Sequence, residues 1–383
     1  MSAVNKKIYF DNAATTKTDE KVLMEMNRVA LENYGNASSL HSMGQQALEE
    51  MEKARETIGK LLGAKAKEIY FTSGGSESDN FALKGIMNSK NKLITTKIEH
   101  PAVLRTAEYL KEKGKNVLFN SVDEKGIIKL DELEKNLDKT DLVSVMHANN
   151  EIGSIQPLKE IAELKEKKDF LFHSDMVQTA GKIKINLNKM NLDLASFSGH
   201  KFYGPKGTGI LYIREGVDLI PLIHGGGQER KKRSGTENIP GIAGIAKALE
   251  LAEKSREEEM NKQEKMRDKL IKSLSEINKS KLNGHEKLRL ANNVNFSFFG
   301  VEGESLITLL DFEGIQVSTG SACSSKNLKI SHVLEAIGLS HVWAHGSLRI
   351  SLGKNNSVKE VDFAIKKIPE IVEGLRKISP VKF

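Results

Sequence analysis

At 383 residues, 39% hydrophobic and 28% charged, the chain has an ordinary soluble composition and the length of two domains, each able to bury a full core. Its one cysteine excludes an internal disulfide framework, a Cys-based zinc site and a self-contained iron–sulfur cluster, and points to a reducing compartment. The net charge of +7 does not by itself mean nucleic acid, because the lysines alternate with acids along stretches such as LKEIAELKEKKD (158–169), the pattern of a solvated helix face. The N-terminal MSAVNKKIYFDNAATT lacks an apolar signal core, and no run approaches the roughly 18 apolar residues of a membrane span, so the expected compartment is the cytoplasm.

From about residue 20 to 255, strand-like runs alternate with helical ones. The strand candidates, in chain order, are EIYFTSG (68–74), KLITTKIEH (92–100), NVLFNSV (116–122), DLVSVMHANN (141–150), FLFHSD (170–175), LASFSGHK (194–201) and TGILYIR (208–214). Helical patterns fill several gaps: 77–87, 101–114, 129–137 and 157–169. This alternation predicts an α/β domain with a mostly parallel sheet, whose ligands gather at the carboxyl ends of the strands. A long amphipathic stretch, 238–277, then leads to a smaller α+β pattern: strand 292–300, helix 304–314, strand 315–318, helix 328–339, strand 347–353 and helix 358–378. The expected division is a large domain over 15–259 and a smaller one from 1–14 and 260–383.

Several strand ends carry polar residues unsuited to packing. In TSGGSESDN a Gly-Gly turn leads into Ser76 and a helix start, where free amides and hydroxyls suit a phosphate; an ordinary helix cap by Ser76 explains the same letters. In FLFHSDMVQTAG, Asp175 and Gln178 follow a buried-looking strand; such a carboxylate needs a partner, and a protonated ring nitrogen is one, a local turn bond another. In SFSGHKFYGPKG, Ser198, His200 and Lys201 stand at the mouth of the sheet, and Lys201 is a candidate Schiff-base amine. His100 in KIEHPAVL offers an imidazole face for stacking or a helix cap, and Asn150 in HANNEIG a neutral donor or a turn residue. Phosphate turn, acidic partner, amine and stacking ring together describe pyridoxal 5′-phosphate. A nicotinamide cofactor lacks its G-x-G-x-x-G, a nucleotide its G-x-x-x-x-G-K-[ST], and the HGGGQ run (224–228) has no esterase G-x-S-x-G to serve.

The motifs FDNAATT, TSGGSESDN, EHPAV, HANNEIG, HSDMVQTAGK, SFSGHKFYGPKG, HGGGQERKKRSGTEN, VEGESL, STGSACSS and SLRISLG follow in this order over almost the whole chain. The sequence thereby resembles the NifS/IscS-type cysteine desulfurases, homodimeric pyridoxal-phosphate enzymes of the aspartate-aminotransferase fold type I. The resemblance implies that Lys201 bonds the cofactor, Asp175 pairs with its ring nitrogen and His100 stacks on the ring. It places Gln178 and Asn150 near the ring oxygen, with Asn150 also near the substrate. Gly75, Ser76, Ser198 and His200 become phosphate contacts, Thr236 a residue donated across the dimer interface, and Arg349 the grip on the substrate carboxylate. The basic run 230–233 then borders a cofactor phosphate and not nucleic acid. It also implies that Cys323, set in the Gly/Ala/Ser-rich loop QVSTGSACSSKNLK, accepts sulfur from L-cysteine as a persulfide. Its thiolate is expected to be favoured by positive charge from His100 or the cofactor site. The chain departs from the family in GGSES and HSD, with the functional atoms kept, and in a tail that stops at SPVKF. That shorter tail leaves the sulfur acceptor open between an iron–sulfur scaffold, tRNA thiolation and other routes. A selenocysteine lyase or an aminotransferase of the same fold, and a sulfur-relay scaffold without turnover, are the competing readings.

Overall fold

The structure, a computed structural model, describes residues 7–319 and 330–381. A short strand, β1 (Ile8–Tyr9), precedes the helices Glu20–Glu32 and Ser42–Leu62. Seven strands then build the central sheet: β2 (Ile69–Thr72), β3 (Lys92–Thr96), β4 (Asn116–Asn120), β5 (Leu142–Ser144), β6 (Leu171–Asp175), β7 (Leu194–Ser198) and β8 (Gly209–Ile213). Their order is β2-β8-β7-β6-β5-β3-β4, and only β8 runs against its neighbours. Six strands therefore point their carboxyl ends to one rim.

Alternation along the strands sends side chains to opposite faces. Ile94, Val143, Ala195 and Ile210 join one hydrophobic cluster, which the helices Glu20–Glu32 and Ser42–Leu62 and the first half of Ile239–Ser275 cover. Leu93, Leu142, Leu194 and Leu211 join a second, under the helices Gly75–Met87 and Pro101–Glu112. With both faces sealed, every residue of β5, β7 and β8 is buried, as a covered parallel sheet requires.

A second, antiparallel sheet sets β10 (Asn293–Phe298) between β9 (Ser280–Leu282) and β12 (Ser347–Ser351). Val294, Phe296, Phe298, Leu348 and Ile350 face its own hydrophobic core, which takes in Ile8 and Phe10, the far end of the 37-residue helix Ile239–Ser275 and the helix Val358–Ile378. There β1 pairs in parallel with β11 (Ile315–Gln316). No helix among the described residues is long and apolar enough to cross a membrane.

The α/β class with a mostly parallel sheet is as expected; several details differ. The alternation expected from about residue 20 names no element before 68 and so omits the helix Ser42–Leu62, although Ala47, Met51, Ala54, Ile58 and Leu62 mark a helical stripe. The strand expected over 141–150 ends at Ser144, and the helix expected over 328–339 is confined, among the described residues, to His332–Ala336.

Candidate active site

The common rim opens on a cavity of about 900 Å³. Gly75, Ser76, His100, Asn150, Asp175, Gln178, Ser198, His200, Lys201 and Arg349 all line it. Ten residues singled out in the sequence thus converge, most of them from loops that begin where a strand ends.

After β2, Gly74 is the N-cap of the helix Gly75–Met87 and offers no side chain, so Ser76 is not the cap and the first-turn amides remain for an anion. Glycine at 75 is required by close approach, since a Cβ there would stand 2.8 Å from Val177 Cγ2. After β3, His100 caps the helix Pro101–Glu112 by accepting from the Ala102 amide at 3.2 Å through Nδ1, which leaves the ring proton on Nε2. Burial, with the charges of Lys201 and His332, pulls His100 down to about 4. The imidazole is therefore neutral at physiological pH. That corrects the expectation that His100 supplies positive charge for a thiolate; its neutral ring is suited to stacking.

Asp175 closes β6, accepts from the Val177 amide at 2.8 Å, and is raised to about 6 by burial, against the pull of that bond and of Lys201. Behind it Asp79 is pushed well above the carboxylate range by burial first and Asp175 second, and its Oδ1 lacks a hydrogen bond among the described residues. A buried acid of this kind favours a cationic partner in front of it. Lys201, in the turn after β7, donates to the carbonyls of Ala13 and Ala14, each at 2.7 Å, and Gln178 Nε2 donates to the same Ala13 carbonyl at 2.9 Å. His200 Nδ1 lies 3.0 Å from Thr15 Oγ1. An amine, a buried acid, a neutral imidazole and an uncapped helix start around one cavity fit a flat aromatic aldehyde phosphate, which is pyridoxal phosphate.

Arg349 comes from the other sheet. It stands mid-strand in β12, is 3% exposed, and its Nη2 donates to Asp11 Oδ1 at 2.6 Å and its Nη1 to the Asn150 carbonyl at 3.2 Å. Its Nε is buried without a hydrogen-bond partner among the described residues. Such a guanidinium is ready for a carboxylate.

Thr236, expected to be donated across a dimer interface, is not at its own chain's cavity. Thr236 lies on a smaller one beside Ser73 and Arg233 of the same chain. Its loop is tied down where Arg55 meets Glu229 in a buried ion pair at 2.8 Å and Arg233 holds Glu77 at 2.8 Å. Cys323 lies outside the described residues. Several lining groups went unread in the sequence, among them Asp79, Glu151 and His332, as did Asp11, which holds Arg349 from outside the lining. Asp79 carried a signal, four residues after Gly75 and hence on the same helix face. His332, whose Nε2 is 2.9 Å from the Glu99 carbonyl, carried none.

The family model for aminotransferase class V matches residues 8–363. Cysteine desulfurase IscS of Methanosarcina thermophila is 50% identical over 386 residues, spanning 100% of this chain and 96% of that protein. A solved NifS-like protein superposes with a TM-score of 0.91 at 46% identity, over 96% of this chain and 100% of its own. A second solved structure, SspA in complex with cysteine, gives a TM-score of 0.79 at 35% identity, over 90% of this chain and 98% of its own. The resemblance to NifS/IscS-type enzymes and the fold expected from it are borne out, and the chain belongs to the aminotransferase class-V family.

Proposed function

We infer that this chain is a cysteine desulfurase, which with pyridoxal phosphate converts L-cysteine to L-alanine and delivers the sulfur to an acceptor. The observation that carries this reading is the meeting of Lys201, Asp175, His100, Gln178 and Arg349 around one cavity. The cysteine-bound neighbour supports the substrate.

In this reading the residues that would hold the cofactor are Lys201 at its aldehyde, Asp175 at its ring nitrogen, His100 at its ring, and Gln178 and Asn150 at its ring oxygen. Gly75, Ser76, Ser198 and His200 hold the phosphate. When bound, the cofactor supplies the electron sink that lets bonds at the substrate Cα break. Arg349 grips the substrate carboxylate and Asn150 stands beside it, which fixes Cα toward Lys201. Lys201 takes the Cα proton. Cys323, as thiolate, attacks the substrate sulfur: the Cβ–S bond breaks, an S–S bond forms, and alanine leaves a persulfide on the enzyme.

The reading extends to a homodimer, since Thr236 stands away from its own chain's cavity and is free to serve a second copy's phosphate site. It includes a domain division at 15–259 against 1–14 with 260–383, which the separate hydrophobic cores support. A cytoplasmic setting, with transfer to an acceptor such as an iron–sulfur scaffold, completes it.

The test is alanine release from L-cysteine, with reductant present, by the wild type and by Cys323→Ser. A desulfurase releases alanine with matching sulfide, and the variant keeps its yellow colour while losing turnover. Equal activity in both proteins removes Cys323 as acceptor and leaves a lyase or aminotransferase.

A further inference from the structure

Lys182 follows the last turn after β6, in QTAGK, and does not line the cavity. Its ammonium donates to the main-chain carbonyl of Gln178 at 3.0 Å and reaches the Gln178 side-chain Oε1 at 3.4 Å. The other end of that amide, Nε2, donates to the Ala13 carbonyl, the same oxygen that receives Lys201. A continuous path therefore runs from Lys182 through the Gln178 amide and the Ala13 carbonyl to Lys201.

An amide's two ends have the same shape and opposite hydrogen-bonding character, so its partners decide which way it faces. Here an ammonium stands at the oxygen end and a carbonyl at the nitrogen end. Turned over, the amide would set NH₂ against ammonium and oxygen against carbonyl. Lys182 also lacks a carboxylate within ion-pair distance among the described residues, and burial together with the Lys201 charge pulls it down to about 7. Keeping such a group desolvated is unfavourable, and among the described residues its hydrogen bonds go to Gln178 alone.

We propose that Lys182 is a positioning residue that acts through Gln178, holding the amide with its NH₂ toward the cavity so that it donates to the ring oxygen of the cofactor. The proposal rests on the desulfurase reading for the cofactor's identity. Without Lys182 the amide loses its orienting N–H donor, and the side facing the ring oxygen becomes an oxygen for part of the time.

The holoenzyme is dialysed against graded pyridoxal phosphate and its visible absorbance followed. Loss of one hydrogen bond predicts that Lys182→Met weakens cofactor retention roughly fivefold, at a melting temperature close to wild type. Lys182→Arg restores most of that loss. In a Gln178→Ala background Lys182→Met adds nothing, because the residue acts only through that amide. Should Lys182→Met fail to fold, Lys182→Gln, which keeps a shorter donor, is expected to show a smaller loss that also vanishes in the Gln178→Ala background. Retention equal to wild type in the Met or Gln variant overturns the proposal, as does a loss that persists undiminished without Gln178. A wild type that takes up no pyridoxal phosphate, or makes no alanine, instead overturns the desulfurase reading itself.

Discussion

The two sheets bring chemistry to the cavity by opposite means. In the seven-stranded sheet the functional groups stand at or beyond the strand ends, as with Asp175 closing β6 and Lys201 in the turn after β7. In the three-stranded sheet Arg349 sits in the middle of β12. The difference follows from what covers each face. Hydrophobic clusters seal both faces of the large sheet, so a polar group can emerge only at the rim. The small sheet has one apolar face: Leu348 and Ile350 enter its core, while Ser347, Arg349 and Ser351 face the other way. On β10 Asn293 and Asn295 share that polar face, and both donate to the Glu151 carbonyl, at 3.1 and 3.0 Å. The strand paired with the one carrying Arg349 is thereby fastened to the loop carrying Asn150. A rim group is held by its turn; a mid-strand cation needs a built-in counter-charge, which is Asp11.

Substitutions at the two places should therefore fail differently. Lys201→Ala strikes the rim and has the largest expected effect: turnover falls roughly a thousandfold. The protein keeps its fold, and an absorbance spectrum checks the loss of covalently held cofactor. Arg349→Lys strikes the strand and keeps the charge but not the two-point grip. Losing one charge-assisted hydrogen bond raises KM for cysteine by about 10- to 100-fold, with kcat much less affected, in steady-state kinetics. An equal fall in kcat with unchanged KM would place Arg349 in the chemical step and erase the contrast. Asp11→Asn leaves a neutral acceptor for the guanidinium, and KM should rise by about fivefold.

The last effect is one of pH, belongs to the rim, and falls on stability and not on turnover. Glu99, in the loop after β3, accepts from Thr96 Oγ1 at 2.7 Å and from the Met146 amide at 3.0 Å, and burial raises it from 4.5 to about 8. Folding takes up a proton on Glu99 between those values. Its contribution is fully present below about 4.5 and is lost as pH rises toward about 8. Thermal melts of Glu99→Gln against wild type should therefore move in favour of the variant from pH 5.5 to pH 8. A constant difference would show that Glu99 stays ionised in the fold.

Much of the rim was legible because the sequence writes it in contiguous words. TSGGSESDN, HSDMVQTAG and SFSGHK each join a strand to its functional turn, and the order of the words follows the order of the strands. Asp11 was harder to read: it lies within FDNAATT, but its task is set by a residue 338 positions away. Lys182 was silent for a similar reason, since one lysine among 58 basic residues carries no mark until Gln178 and Ala13 are seen beside it. The long helix Ile239–Ser275 was read to within two residues of its ends, because a periodic stretch that long outweighs local ambiguity. The three-residue β9 was not read, being too short to show a period.

By itself the sequence determined the alternation of strands and helices, the class of the sheet and the set of groups a pyridoxal-phosphate site needs, because each rests on neighbours a few residues apart. Tertiary structure alone decided that His100 is neutral, that Asp11 holds Arg349, and that Asp79 and Asp175 stand one behind the other. Burial and charge proximity are properties of the packed interior, where desolvation outweighs a side chain's ordinary preference, and no local run of letters encodes them.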